Sequence, residues 1–217
     1  MIPVFSSLLS LEFPSDLEVL DLSYNQFTSV PPVSQFKNLR KVIFDGNPIK
    51  SVTEFNFNGD DSQLEVLTDI SFESCEYLDY VDDAAFAFLK SLSNVSFKGS
   101  GIFYLSKSAF YECPSITTVD VSDTKLKYVD SSFFIYADTI RSFIVSDMEC
   151  SCINDWMLET NGIVSGYDCN KADVDIHNCP PQSLMDGYIF NFQEDTSNTA
   201  IVSVNRNDTN INLPLPE

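Results

Sequence analysis

No apolar run in the 217-residue chain approaches the roughly 18 to 20 residues that a membrane-spanning helix requires, so the sequence offers no transmembrane candidate. Its opening, MIPVFSSLLSLEF, lacks both a basic start and a small-residue cleavage site, so a secretory signal cannot be read from it. Basic residues are scarce: 12 Lys and Arg stand against 32 Asp and Glu, a formal charge of −20. Such a field repels phosphate backbones and anionic headgroups, which argues against nucleic acid as a partner. Spread through the whole chain, the acidity reads as a solubility feature rather than a site. Histidine is nearly missing. The single His177 lies among cysteines, which leaves no Ser–His or Cys–His nucleophilic pair elsewhere. Phosphate loops, HExxH and dinucleotide fingerprints are all absent, and a carboxylate pair picked from 32 acids would be arbitrary. The expectation is a non-enzyme with no cofactor and no metal.

What the chain does have is 44% hydrophobic content, enough for a folded core, and an internal period. Leu17, Leu20, Leu22 and Asn25 spell LxxLxLxxN, and Leu39, Val42, Phe44 and Asn47 repeat it 22 residues later. The frame fits again at Leu67, Ile70, Phe72 and Cys75, then at Leu92, Val95, Phe97 and Ser100, and at Ile116, Val119, Val121 and Thr124. A weaker sixth copy uses Ile140, Phe143, Val145 and Met148. Apolar residues follow the fourth anchor at regular places, and an aromatic recurs before the next strand at Phe86, Phe110 and Phe133 or Phe134. Each unit predicts one short strand with alternate side chains inward, then a turn and a looser return. A single unit cannot bury its apolar face, but stacked units can, in a right-handed solenoid with a parallel sheet on the concave side. The Asn position predicts a ladder of side chains bonded to backbone, partly replaceable by Cys, Ser and Thr. The segment FNGDDSQ at 57–63 reads as a bulging loop.

On these residues the chain resembles the leucine-rich repeat proteins of the extracellular animal type, over about 17–148: LDLSYNQFTSVP and VDVSDTKLKYVDSSFF carry the pattern. That likeness implies an α/β solenoid, mostly strand and loop. Beyond it, Cys150-x-Cys152, Trp156, Cys169 and Cys179 resemble the C-terminal cysteine cap of that family, here residues 149–194. The resemblance implies pairing of Cys150 with Cys169 and of Cys152 with Cys179. A cap is physically required, because the last repeat otherwise exposes apolar surface and a strand edge. The same block also holds zinc-ligand types, Cys150, Cys152, Cys169, His177 and Cys179. CxC is less typical than CxxC for zinc, and the repeat context favours an oxidising compartment, so disulfides are the expectation. Cys75 and Cys113 read as buried structural thiols.

Residues 1–16 read as a partial N-terminal cover, through Leu8, Leu9, Leu11 and Phe13, or as the remnant of an upstream repeat. The expectation is a fragment whose signal peptide and N-terminal cap lay upstream. Residues 195–217 carry no repeat frame and read as a flexible tail. Asn94-Val-Ser96 and Asn207-Asp-Thr209 are glycosylation acceptors in a secreted chain.

Two functions compete. One is an extracellular, non-catalytic recognition module binding a protein, or alternatively a glycan, on the concave face. The other is a structural, carrier or accessory subunit of a secreted complex or matrix. The binding positions lie between the anchors, where sequence can vary without disturbing the core. They hold eight acids (Glu18, Asp21, Asp45, Asp69, Glu73, Asp120, Asp123, Asp147) and four bases (Arg40, Lys41, Lys98, Arg141), so charge does not single the face out. The apolar and aromatic residues near its ends do: Val19, Tyr24, Ile43 and Ile144, with Arg40 and Asp45 beside them.

Overall fold

The structure, a computed structural model, describes residues 14, 16–57, 64–130, 132–148, 150, 157, 160, 162–167 and 169, and the backbone of 189–194, 200–206 and 209–211. The chain divides into two compact units, Met1–Asp175 and Ile176–Glu217. In the first unit the elements run β1 (Val19–Asp21), β2 (Lys41–Ile43), β3 (Ser51–Val52), β4 (Asp69–Ser71), β5 (Tyr80–Val81), β6 (Asn94–Ser96), β7 (Tyr104–Leu105), β8 (Thr118–Asp120), α1 (Phe133–Tyr136), β9 (Ser142–Ile144) and β10 (Val164–Ser165).

One strand per repeat builds a seven-stranded parallel sheet in the order β1-β2-β4-β6-β8-β9-β10. Its register aligns the expected anchors: Leu20 with Val42, Val42 with Ile70, Ile70 with Val95, Val95 with Val119, and Val119 with Phe143. The residues on either side of each anchor face outward because strand side chains alternate. The return path is more regular than the sequence suggests. β3, β5 and β7 form a second, three-stranded parallel sheet, so the return paths of the second, third and fourth repeats are pinned by backbone pairing rather than loose.

Between the sheets lies one apolar cluster in which phenylalanines stack along the coil axis. Beneath the main sheet Phe44, Phe72 and Phe97 stand 5.0 and 5.7 Å apart, nearly parallel. Beneath the return path Phe57, Phe86 and Phe110 stand 5.5 and 5.1 Å apart, and Phe133 continues the row edge-on at 6.0 Å. Of the two candidates in the fifth repeat, Phe133 is fully buried and Phe134 only partly. Phe57 corrects the reading of 57–63 as a loop: its ring is fully buried and belongs to the return-path row, while residues 58–63 lie outside the described residues.

The polar ladder forms as expected at its start. Asn47 Nδ2 donates to the carbonyls of Leu22 and Phe44 at 2.8 and 2.7 Å, and its Oδ1 accepts from Phe27 N–H at 3.1 Å. Cys75 Sγ replaces it in the next repeat by donating to Phe44 O at 3.4 Å. Ser100 is too short for the role, and its buried Oγ has no partner among the described residues. A second ladder has no counterpart in the sequence reading. Ser91, Ser115 and Thr139, each just before the first anchor of its repeat, donate to the carbonyls of Glu65, Lys90 and Ile116 at 2.6, 2.7 and 2.7 Å. Each hydroxyl thus ties one coil to the coil before it.

Beyond the sixth repeat, β10 extends the main sheet by pairing Val164 with Phe143 and Ser165 with Ile144. Met157 is buried there, and Ile163, Val164 and Tyr167 pack against the core. Gly166 permits the approach: it has φ +88°, and a Cβ on it would stand 1.8 Å from Val145 O. A disulfide joins Cys150 to Cys169. Cys152, Trp156, His177 and Cys179 lie outside the described residues, as do residues 1–13. Cys75 and Cys113 are free and buried, and burial pushes their thiols up to about 11 and about 12.

The second unit is a three-stranded antiparallel sheet of β11 (Ile189–Glu194), β12 (Ala200–Arg206) and β13 (Thr209–Ile211). This corrects the expectation of a flexible tail from 195: IFNFQE and AIVSVNR are rich in β-branched and aromatic residues, which favour strand even without a repeat frame. Asn207 lies outside the described residues.

Candidate functional site

The exposed face of the main sheet is built by three outward residues per strand and by the turn that closes each strand. In all six repeats the residue before the ladder position has a left-handed backbone: Tyr24, Gly46, Ser74, Gly99, Asp123 and Asp147, with φ between 53° and 67°. This conformation steers the chain off the sheet while its N–H still bonds the next repeat, as Tyr24 N does to Asp45 O at 2.7 Å and Ser74 N to Lys98 O at 2.9 Å. Only two of the six are glycine, so the sequence carries a weak signal for it.

Across the middle of the face the side chains bond one another. Asp45 Oδ1 accepts from Ser71 Oγ at 2.6 Å and from Glu73 N–H at 2.8 Å, and Glu73 Oε1 accepts from Ser96 Oγ at 2.7 Å. Asn94 Nδ2 donates to Asp69 Oδ1 at 2.9 Å. Burial, and repulsion from Glu73 and Asp21, raise the Asp45 carboxyl above its ordinary value, partly offset by those two hydrogen bonds. Asp45 is therefore a half-buried, structural part of the face.

The β1–β2 end differs. Val19 is 54% exposed and Tyr24 76% exposed. The Tyr24 ring lies against the backbone of Gly46, where a Cβ would stand 2.6 Å from Cδ1, so a glycine at 46 is what lets the ring settle. Arg40 is exposed and its Nε is 4.0 Å from the Glu18 carboxylate, a pairing that solvent makes weak. The structure thus brings Val19, Tyr24, Arg40, Ile43 and Asp45 together on two adjacent strands. Ile43 is half-buried, and Ile144, also half-buried, lies on β9 at the far end and does not join them.

The return path carries a surface the sequence reading missed. Phe88 and Tyr111 meet edge to face at 5.9 Å, Tyr111 and Tyr136 at 6.4 Å, and Ile135 stands exposed beside them. The available signal was their offset from the buried aromatic row, since Phe88 follows Phe86 by two places and Tyr111 follows Phe110 directly. Among the described residues no cluster of His, Cys, Asp and Glu could hold a metal ion, and no helix is long and apolar enough to cross a membrane.

Comparison with known proteins agrees with this architecture. A 67-residue stretch is 42% identical to chaoptin of Drosophila melanogaster, 30% of this chain but 5% of chaoptin. The solved Toll–Spatzle complex, described as a hub in Drosophila development and innate immunity, has a TM-score of 0.50 at 16% identity over 60% of this chain. The TLR13–ssRNA13 complex has a TM-score of 0.54 at 22% identity over 65% of it. The chain spans 17% and 20% of those two chains, and the likeness is one of fold. The family described as BspA type leucine rich repeat region (6 copies) matches residues 62–171, and leucine rich repeats (2 copies) match 15–57. The stacked strands, the ladder and these matches together establish that the chain belongs to the leucine-rich repeat proteins, with its larger part of the BspA type.

Proposed function

We propose that the chain is an extracellular, non-catalytic recognition module that binds a protein ligand at the β1–β2 end of the main sheet. The observation that carries this reading is Tyr24, which combines 76% exposure with a ring held against Gly46. An aromatic already ordered before binding loses little entropy on contact, and Tyr beside Arg is the composition of binding hot spots. The fold neighbours include Toll in complex with Spatzle. TLR13 is bound to RNA, but the −20 charge of this chain opposes a phosphate ligand here. The Cys150–Cys169 disulfide supports an oxidising, extracellular setting, and the second bridge of the cap is proposed between Cys152 and Cys179.

The alternative, a structural or accessory subunit, is favoured by one observation: the exposed return-path strip of Phe88, Tyr111, Ile135 and Tyr136. Ligand capture from native extracellular fluid on immobilised chain, repeated with Tyr24→Ala/Arg40→Ala and with Phe88→Ser/Tyr111→Ser, separates the two. The first double variant is expected to weaken ligand binding by about 2 kcal/mol or more. Its melting temperature should stay within a few degrees. Unchanged capture by that variant, with loss in the second, transfers the site to the return path.

A further inference from the structure

We propose that Asn94 is an acceptor for an N-linked glycan that stands in the middle of the main-sheet face. Three observations combine. Asn94-Val95-Ser96 has the acceptor sequence and coincides with β6, the fourth of seven strands. Strand alternation buries Val95 and leaves Asn94 and Ser96 on the same outward side, with Asn94 exposed. Asn94 Nδ2 is committed only to Asp69 Oδ1 on the neighbouring strand, at 2.9 Å. That bond uses one of its two protons.

The chemistry fits this geometry. Asn94 Nδ2 attacks the anomeric carbon of an oligosaccharide carried on a polyprenyl diphosphate. The C1–O bond breaks, the diphosphate leaves with its electron pair, and one Nδ2 proton is lost to base. The remaining N–H still can donate to Asp69, so attachment does not dismantle the strand. β1 lies three strands from β6, about 14 Å at the usual strand spacing. A glycan at Asn94 is therefore rooted between β4 and β8, with its attachment point about 14 Å from the strand that leads into Tyr24. Its bulk would obstruct a ligand most over the middle strands, which deepens the proposed function and rests on its extracellular setting.

The test expresses the full chain behind a secretory signal in eukaryotic cells, so that passage through the pathway is imposed and the acceptor alone is examined. Secreted protein is treated with peptide N-glycosidase in ¹⁸O-water and its peptides are mapped. The expected result is an ¹⁸O-labelled Asn94 peptide in most molecules. One enzyme-sensitive mobility step should be lost in both Asn94→Gln and Ser96→Ala, kept in Ser96→Thr, and kept in Asn207→Gln. Secreted wild-type chain whose Asn94 peptide carries no label overturns the proposal whatever Asn207 shows. The native location of the chain, read separately by fractionation, tests the extracellular setting.

Discussion

Gly101→Ala tests how the coils stack. Between the ladder residue and the next apolar anchor the third repeat has two residues, Glu76 and Tyr77, where the fourth has Gly101 alone. The strands on either side keep register, since Ile70 pairs with Val95 and Val81 with Leu105. The extra residue is therefore absorbed inside the turn, and it pushes the Glu76 carbonyl toward the next coil. A Cβ on Gly101 would stand 2.2 Å from Glu76 O, 3.0 Å from Glu76 C and 3.4 Å from Leu78 O. These are backbone atoms, and the N–H groups of Gly101 and Leu78 both donate to Cys75 O at 3.0 Å, so the turns cannot part without stretching those bonds. Overpacking that moves backbone costs about 1–3 kcal/mol, and a weakened hydrogen bond adds about 1 kcal/mol. Lower unfolded-state entropy returns about 0.4–1 kcal/mol. The net loss should be about 2 kcal/mol, a fall of roughly 1 M in the urea midpoint for a slope near 2 kcal/mol/M. In a background lacking Tyr77 the same substitution should cost under about 0.5 kcal/mol, because the longer turn is what creates the clash. An unchanged midpoint in the parent chain, or an equal drop in the shortened one, refutes the reasoning.

Phe57→Ala should cost about 3–5 kcal/mol by thermal or urea denaturation, while Phe55→Ala, on a 79% exposed ring, should change stability by under about 0.5 kcal/mol. Folded protein at pH 8 should react negligibly with thiol reagents, since Cys75 and Cys113 are raised to about 11 and about 12 from 9.0. These raised values favour folding below pH 9, and that contribution is lost as pH rises through the folded values. Denatured without reductant, the chain should show two thiols, and four or more would break the proposed Cys152–Cys179 bridge. Asp45→Asn should stabilise the protein near neutrality: its raised pKa means the ionised form disfavours folding above the ordinary carboxyl range, and an amide oxygen keeps both incoming hydrogen bonds. The gain should vanish as pH falls below that range, which denaturation midpoints at two pH values would read.

The anchors were legible because burial leaves little choice at those places: an inward strand position takes Leu, Ile, Val or Phe in each of the six copies, and six copies in one frame outweigh any single match. Phe57 was missed because the aromatic row was counted back from the next strand, across the 58–63 insertion. Counted forward it falls ten places after Asn47, as Phe110 falls ten after Ser100. The hydroxyl ladder of Ser91, Ser115 and Thr139 escaped notice because Ser and Thr are common in turns. Nothing local marks which of them reaches the carbonyl of another coil.

The period, the inward set, the existence of an ordered ladder and the pairing positions of the parallel strands are written in the residues, since each follows from which side chains can leave water at a fixed spacing. What neighbouring coils do to one another was settled by the folding of the chain. It set Tyr24 on Gly46, placed Gly101 under Glu76 O, and left Ser100 Oγ buried without a partner among the described residues. It also aligned Phe88, Tyr111 and Tyr136 into one exposed strip. These are contacts between residues some 20 to 25 positions apart, and their geometry depends on the exact length of each intervening turn, which hydrophobic periodicity does not encode.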